Sequence, residues 1–244
     1  MCEYCLPLQP YDAKYLDSKK IKFMSFYGHI KKILENNSIS KPLIEPDFKV
    51  KAPCPSGTHP PYPSGICTKC QPSSIILTSQ TFRSVDHVEF EAPKMIDSFL
   101  TGWRESGVQR FGYLYGKVER YDEVPLGIKV VVSAIYEPIQ EGWGDGIQVD
   151  VEDTRVNSVD SVAAQFGLQR IGMIYTDLTD DGSGQGKVIC KRHSDSFFLS
   201  SAECISSASM QYSHPTPCKH SESGYFGSRF VTCVLSGIFL VLWK

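Results

Sequence analysis

The residues with the clearest chemistry stand in the run C-P-S-G-T-H-P-P-Y-P-S-G-I-C-T-K-C. It supplies Cys54, His59, Cys67 and Cys70 at C-x4-H-x7-C-x2-C spacing. Zinc takes four ligands in a tetrahedron, and thiolate and imidazole suit its borderline-soft character. The spacing therefore points to a structural zinc ion, Zn(2+), held by Cys54, His59, Cys67 and Cys70. Gly65 is expected to permit the tight turn that aims both sulfurs of the C-x2-C pair inward. Two plainer readings compete: a loop with free thiols, and a redox C-x-x-C. The redox reading wants the pair after a strand in a βαβ pattern, whereas this pair closes a proline-rich loop.

Cys2 and Cys5 form a second C-x2-C at the start of the chain. They read as half of a second zinc site whose other ligands are missing. His29 could contribute to it. A shared site joining Cys2 and Cys5 to Cys67 and Cys70 also stays open, because C-x2-C…C-x2-C is itself a zinc pattern. Cys190-x2-His193 and His214-x3-Cys218-x-His220 carry metal-binding residue types, but they flank loop-like sequence and a predicted helix separates them. They are read as ordinary loop residues. Cys204 and Cys233 fall on apolar patterns and read as small core residues.

The elements that must position these groups divide into two textures. Eight of the 15 prolines lie between Pro42 and Pro72. Proline fixes φ and lacks a backbone donor, so this stretch cannot be a helix or an inner strand and needs a staple to hold a shape. After Ser84, helix and strand signals alternate. Met95, Ile96, Phe99, Leu100 and Trp103 have helical spacing, with Pro93 in the first turn and Gly107 as stop. RFGYLYGKVE and GIKVVVSAIYEP read as strands. NSVDSVAAQFG reads as a second helix, with apolar positions Val159, Val162, Ala163 and Phe166, a cap at Asn157 or Ser158 and a stop at Gly167. RIGMIYTD is a buried strand, SSAECISSAS a short serine-capped helix, and SRFVTCVL a last strand. The order α-β-β-α-β-α-β predicts an α+β or α/β sandwich of roughly 150 residues.

Composition bounds the function. The chain has 244 residues, 28 aromatics and 41% hydrophobic residues, enough for a core. Its net charge of −2 shows no basic surplus, which argues against binding nucleic acid through phosphate charge. Nine cysteines cannot all pair within one chain. No secretory signal is read at the N-terminus, so the cysteines are assigned to a reducing compartment, where clusters bind metal more often than they form disulfides. The longest apolar run, Val231 to Trp243, has 13 residues against the roughly 20 that span a bilayer, so direct membrane insertion is not expected.

Taken together, CEYCLPLQPYD, MSFYGHIKK, GICTKCQPS, FGYLYGK, AIYEP and IYTDL closely resemble the nuclear protein localisation protein 4 family, from residue 2 to about residue 234. The resemblance implies an α+β protein: a zinc-stapled, loop-rich region at 1–83, then an incomplete MPN (JAMM-like) α/β sandwich at 84–234. An apolar tail at 235–244 lies outside the family pattern, and the chain reads as a truncated or alternatively spliced member. In the family the first zinc site begins with a Cys-x-His pair upstream of the C-x2-C that Cys2 and Cys5 match. By the same resemblance, the chain is expected to lack the ubiquitin-like domain that family members carry before it.

The MPN fold also houses zinc metalloisopeptidases that cut ubiquitin chains. Their motif needs a Glu base, an H-x-H-P and an S-x2-D, because two His and an Asp hold zinc with one position open for water. Here the base position falls on Gln109, the His positions on Tyr175 and Asp177, the Ser on Ser200 and the Asp ligand on Glu203. Gln cannot act as a general base and neither imidazole is present. A metalloisopeptidase is therefore the alternative, and a non-enzymatic adaptor is the expectation. The resemblance implies partnership with ubiquitin fusion degradation protein 1 and the AAA+ unfoldase valosin-containing protein. It implies binding of ubiquitin chains, and a role in proteasomal and ER-associated degradation. The implied location is cytoplasm and nucleus, reaching the cytosolic face of the endoplasmic reticulum through partners.

Overall fold

A computed structural model describes residues 9–36, 43, 49–72, 79–150 and 153–237. The N-terminal part carries helix α1 (Ala13–Ser18), the short strand β1 (Met24–Ser25) and helix α2 (Phe26–Asn36). The described residues 49–72 hold no helix or strand, as the prolines require. Strands β2 (Phe82–Arg83) and β3 (His87–Phe90), helix α3 (Pro93–Ser106) and strands β4 (Phe111–Tyr121) and β5 (Gly127–Tyr136) follow. Strands β6 (Gln140–Trp143) and β7 (Gly146–Val149) form a hairpin, and helix α4 (Arg155–Gln165) leads into strand β8 (Gln169–Asp177). Helix α5 (Ser201–Ser213), strands β9 (Pro215–Pro217) and β10 (Tyr225–Ser228), and strand β11 (Val231–Ser236) complete the described elements.

The central sheet has order β11-β8-β4-β5-β3. Strand β4 runs antiparallel to both β5 and β8, while β11 is parallel to β8 and β3 parallel to β5. Parallel neighbours cannot be joined by a tight turn, and the β8 to β11 crossover contains α5. The four long strands of this sheet and all three helices read after Ser84 are those that periodicity indicated. Strand β3 and the β6–β7 hairpin were not anticipated, although a Gly-Asp pair, Gly144-Asp145, sits as the two-residue loop between Trp143 and Gly146 and is a hairpin signal.

Local signals set the helix ends. Pro93 sits in the first turn of α3, and Gly107 ends the helix at φ 69°, a left-handed conformation that costs glycine no Cβ clash. Helix α4 begins earlier than its sequence suggests, after Thr154 rather than Asn157 or Ser158. Its expected apolar stripe is also mostly outside: Ala163 is buried, whereas Val162 and Phe166 are exposed. Helix α5 opens with a capping box in which Ser200 and Glu203 satisfy each other's backbone donors.

The main core gathers Phe99 from α3, Leu114 from β4, Val130 and Val132 from β5, and Ile171 and Ile174 from β8. Leu235 of β11 packs against it and pairs with Thr176, so the first residue of the expected apolar tail continues the sheet. Residues 238–244 lie outside the described residues. A smaller core joins Phe26 and Ile30 of α2 to Cys218, with Phe82 and Phe226 beside them. Cys233 packs on the main core as expected, but Cys204 is exposed on α5 and is not a core residue. Leu114 is fully buried at the centre of the sheet. Leu114→Ala is expected to cost about 2–5 kcal/mol of stability, read as a lower denaturant midpoint in equilibrium unfolding.

Candidate metal centre and cleft

Cys54, His59, Cys67 and Cys70 converge, with their ligand atoms all within 4.8 Å of one another. The Cys54–Cys67 sulfurs are 3.9 Å apart, Cys67–Cys70 3.6 Å, and Cys70 Sγ lies 3.4 Å from His59 Nε2. A tetrahedron with usual zinc bond lengths has edges of roughly 3.5–3.8 Å. The donor set and its dimensions therefore fit zinc. Four protein ligands would leave no open position for water, which makes this a structural staple and not a catalytic centre.

The loop is built to present these atoms. Cys67 O accepts from Cys70 N at 2.9 Å and from Gln71 N at 3.1 Å, closing the turn of the C-x2-C pair. Lys51 N donates to Cys70 O at 2.9 Å and ties the entering chain to the leaving one. His59 Nδ1 lies 2.7 Å from Pro60 O, which assigns the proton to Nδ1 and leaves Nε2 as the ligand atom. Gly65 was expected to permit the turn of the C-x2-C pair; its contribution is steric room rather than a positive φ. It lies against the imidazole: a Cβ there would stand 2.8 Å from His59 Nδ1 and 2.9 Å from Pro60 O.

Without a metal the three thiols diverge. Burial pushes Cys70 up to about 11, while the Ser56 hydroxyl draws Cys54 down to about 5 and the His59 contact lowers Cys67. Cys2 and Cys5 lie outside the described residues. His29 stacks on Phe82 with ring centroids 4.2 Å apart, inside the smaller core. The Cys190, His193, His214, Cys218 and His220 groups do not assemble. Cys218 is buried in the smaller core, and His214 packs against Phe230 with its Nδ1 at Met210 O. Among the described residues, Cys54, His59, Cys67 and Cys70 make the one such metal-capable cluster.

The second site is a cleft of about 510 Å³ between the β7 strand, the ends of β4 and β8, and the start of α5. Gln109, Tyr175, Asp177, Ser200 and Glu203 all line it, so tertiary structure brings these dispersed positions together. The base and imidazole positions hold Gln109, Tyr175 and Asp177, which do not supply the base and the two imidazoles of the metallopeptidase motif. Gln109 is buried and fully committed: its Nε2 donates to Gly144 O and Leu178 O, both at 2.7 Å. Its Oε1 accepts from Thr176 Oγ1 at 2.7 Å and Leu178 N at 3.1 Å. Burial, with the Glu203 carboxylate close by, pushes the Tyr175 phenol well above its usual range, so it stays protonated. Ser200 is spent on the α5 cap.

The residue that sequence reasoning missed is Arg192. Its Nε donates to Asp177 Oδ2 at 2.7 Å, its Nη2 to Glu203 Oε1 at 2.5 Å, and its Nη1 to Glu203 Oε2 at 2.9 Å and Phe198 O at 2.6 Å. Burial pushes the Glu203 carboxyl up, but the hydrogen bonds from Arg192 and Ser200 N prevail and hold it below the usual carboxylate range. No local motif marks Arg192, because its partners lie 15 residues before it and 11 after it.

A structural Cys3His cluster beside a mixed sheet whose cleft gathers altered metallopeptidase positions defines a zinc-stapled, MPN-like protein. The chain belongs to the NPL4 family: that family matches residues 110–239, and the NPL4 family zinc-binding region matches residues 1–107. Relatives named Nuclear protein localization protein 4 are 55% identical in Schizosaccharomyces pombe and 52% in Saccharomyces cerevisiae, each over 97% of this chain. The chain spans 42% of the length of both relatives.

Two outcomes follow from this geometry. Cys67→Ser is expected to lose the bound zinc, and Gly65→Ala to weaken it roughly 10-fold or more by displacing the His59 ring, both read by metal analysis against a competing chelator. Gln109→Glu restores the acid of the metallopeptidase motif but removes two donors and points a carboxylate at Gly144 O and Leu178 O. It should yield no hydrolysis and cost roughly 3 kcal/mol or more, measured by isopeptide cleavage and unfolding midpoint. Cleavage gained by that single change would contradict the structural role of Gln109.

Proposed function

We propose that this chain acts as a non-enzymatic adaptor that holds ubiquitin chains and recruits them to the AAA+ unfoldase valosin-containing protein, together with ubiquitin fusion degradation protein 1. Its zinc-stapled region would face the unfoldase and its MPN-like sheet the ubiquitin. The observation that carries the reading is the state of the cleft. The cleft gathers all five positions, but Gln109, Tyr175 and Asp177 stand where the base and the two imidazoles would be. Neither a base nor an imidazole is present at the expected places, and a protein guanidinium ties the two carboxylates together. A pocket without hydrolytic groups is suited to binding without turnover.

The lining suits a peptide ligand. Phe111, Ile147, Val149, Met173 and Phe197 supply apolar surface, and Asp145 and Lys191 supply charge near it. Apolar walls with a few placed polar groups are the usual composition of a binding site. Gln109, Tyr175 and Asp177 at the base and imidazole positions favour the adaptor reading over the metalloisopeptidase. The corresponding location is cytoplasm and nucleus, with access to the endoplasmic reticulum surface through partners. Among the described residues no helix is long and apolar enough to cross a membrane.

The test uses the full chain with labelled ubiquitin chains. Binding should be detected by anisotropy, without cleavage, whether zinc or chelator is added. Ile147→Asp should weaken that binding at least several-fold by placing a charge in the cleft, while leaving co-purification with the unfoldase unchanged. Cys67→Ser should do the reverse. Chelator-sensitive turnover would overturn the adaptor reading, and equal ubiquitin binding by Ile147→Asp would move the ubiquitin site elsewhere.

A further inference from the structure

A separate cavity of about 230 Å³ lies at the start of β8, the opposite end of that strand from the cleft, and shares no lining residue with it. Arg170 on β8, His214 at the end of α5 and Arg229 just before β11 bring three basic side chains to its wall. Thr216 of β9 adds a hydroxyl. Among the described residues no carboxylate lines the cavity, although the chain as a whole carries a net charge of −2. A guanidinium has five N–H donors and a full charge to satisfy. Arg170 spends Nη2 on Asp160 Oδ2 at 3.0 Å and lies over the Tyr113 ring, 5.0 Å from its centroid. That carboxylate is shared with the Tyr115 hydroxyl, 2.7 Å away. Arg229 has no carboxylate partner among the described residues. Its Nη2 donates to the Tyr27 hydroxyl, and its guanidinium lies over the Tyr27 ring at 5.7 Å. The Nε of each arginine is closed to water and meets no acceptor. Both charges are thus under-compensated in a place where solvent screens them poorly, which is costly for an ionised donor.

We infer that this cavity is an anion site that takes a compact phosphate group between Arg170 and Arg229. Arginine forks match both carboxylate and phosphate. A planar carboxylate is filled by one fork, whereas a tetrahedral phosphate offers oxygens in several directions, enough for two guanidiniums and a hydroxyl. The size points the same way: drug-sized ligands take pockets of roughly 300–1,000 Å³, and this cavity is smaller. His214 is tethered through Nδ1 to Met210 O at 2.8 Å, which holds its ring in the wall. A bound phosphate would bridge β8 and the segment entering β11, adding a charged link between two neighbouring strands of the sheet. The site stands whatever ligand the cleft binds.

The test titrates the zinc-loaded full chain with inorganic phosphate, with chloride holding ionic strength constant in every sample. Phosphate should broaden its own phosphorus NMR resonance saturably at millimolar concentration. It should also raise the thermal midpoint by a few degrees, because it binds the folded chain and not the unfolded one. Arg229→Gln should weaken phosphate binding about 10-fold or more, the loss expected for one shielded charge-assisted contact. Arg104→Gln removes an exposed charge on α3, away from the cavity, and should bind as the unaltered chain does. Acetate should not compete. Glycerol phosphate separates the two sources of the group: binding at least as tight as that of inorganic phosphate makes a small phosphomonoester the ligand, and weaker binding makes it free phosphate. Both support the site. The proposal fails if phosphate gives no saturable response, or if Arg229→Gln binds as tightly as the unaltered chain. It also fails if Arg104→Gln weakens binding as much, or if acetate displaces phosphate at equal concentration. Should Arg229→Gln not fold, Arg229→Lys decides, since it keeps the charge and loses the planar fork. Weaker phosphate binding by that variant supports the proposal, and unchanged binding overturns it.

Discussion

The cleft depends on one constraint, that the Gln109 amide must be satisfied where water cannot reach it. Its two donors and its carbonyl oxygen meet Gly144, Leu178 and Thr176, which belong to the β6–β7 turn and the end of β8. Thr176 in turn accepts from Arg110 N at 2.8 Å, so the amide is one link in a chain of hydrogen bonds. An unmet buried amide donor or acceptor costs on the order of 1–3 kcal/mol, and here one side chain meets four. That network holds the hairpin over the sheet and sets the width of the cleft. Gly142 allows the approach, since a Cβ there would stand 2.1 Å from Gln109 O.

The other wall is set by charge. Arg192 joins β8, α5 and the loop between them through a charge-assisted network that is nearly closed to solvent. Such bonds are stronger than neutral ones, and the planar fork of arginine fits two carboxylates as a lysine would not. The two walls thus rest on different physics, one on neutral amide satisfaction and the other on ion pairing. Neither needs a metal, and the zinc-capable cluster serves the proline-rich loop instead. There a chain that cannot form backbone ladders gains its shape from four side chains, since residues 49–72 have no regular elements.

Much of this was legible from residue types alone. The C-x4-H-x7-C-x2-C run identified the four ligands that come together, because short-range spacing in a turn-rich loop limits where sulfurs and imidazole can point. The period of Met95, Ile96 and Phe99, with Pro93 and Gly107 at the ends, located α3. The β-branched runs located β4, β5 and β8. The motif comparison placed Gln109, Tyr175, Asp177, Ser200 and Glu203 at the altered hydrolytic positions, and the cleft gathers all five. Where reading failed, tertiary context prevailed over pattern. Val162 and Phe166 keep helical spacing but face outward, and Cys204 is apolar in pattern yet exposed.

The sequence by itself thus determined the long strands and the helices after Ser84, the four residues that cluster as a zinc-capable set and the residue types at the hydrolytic positions, because each is written in local spacing or residue type. Tertiary structure alone decided what replaced that chemistry. The pairing of Arg192 with Asp177 and Glu203 crosses a loop, a strand end and a helix start, and no periodicity encodes it. The role of Gly65 was settled the same way, by the ring of His59 lying against it and not by its own backbone angles. Contacts between distant segments follow from how burial and charge are balanced in three dimensions, which the order of residues along the chain does not display.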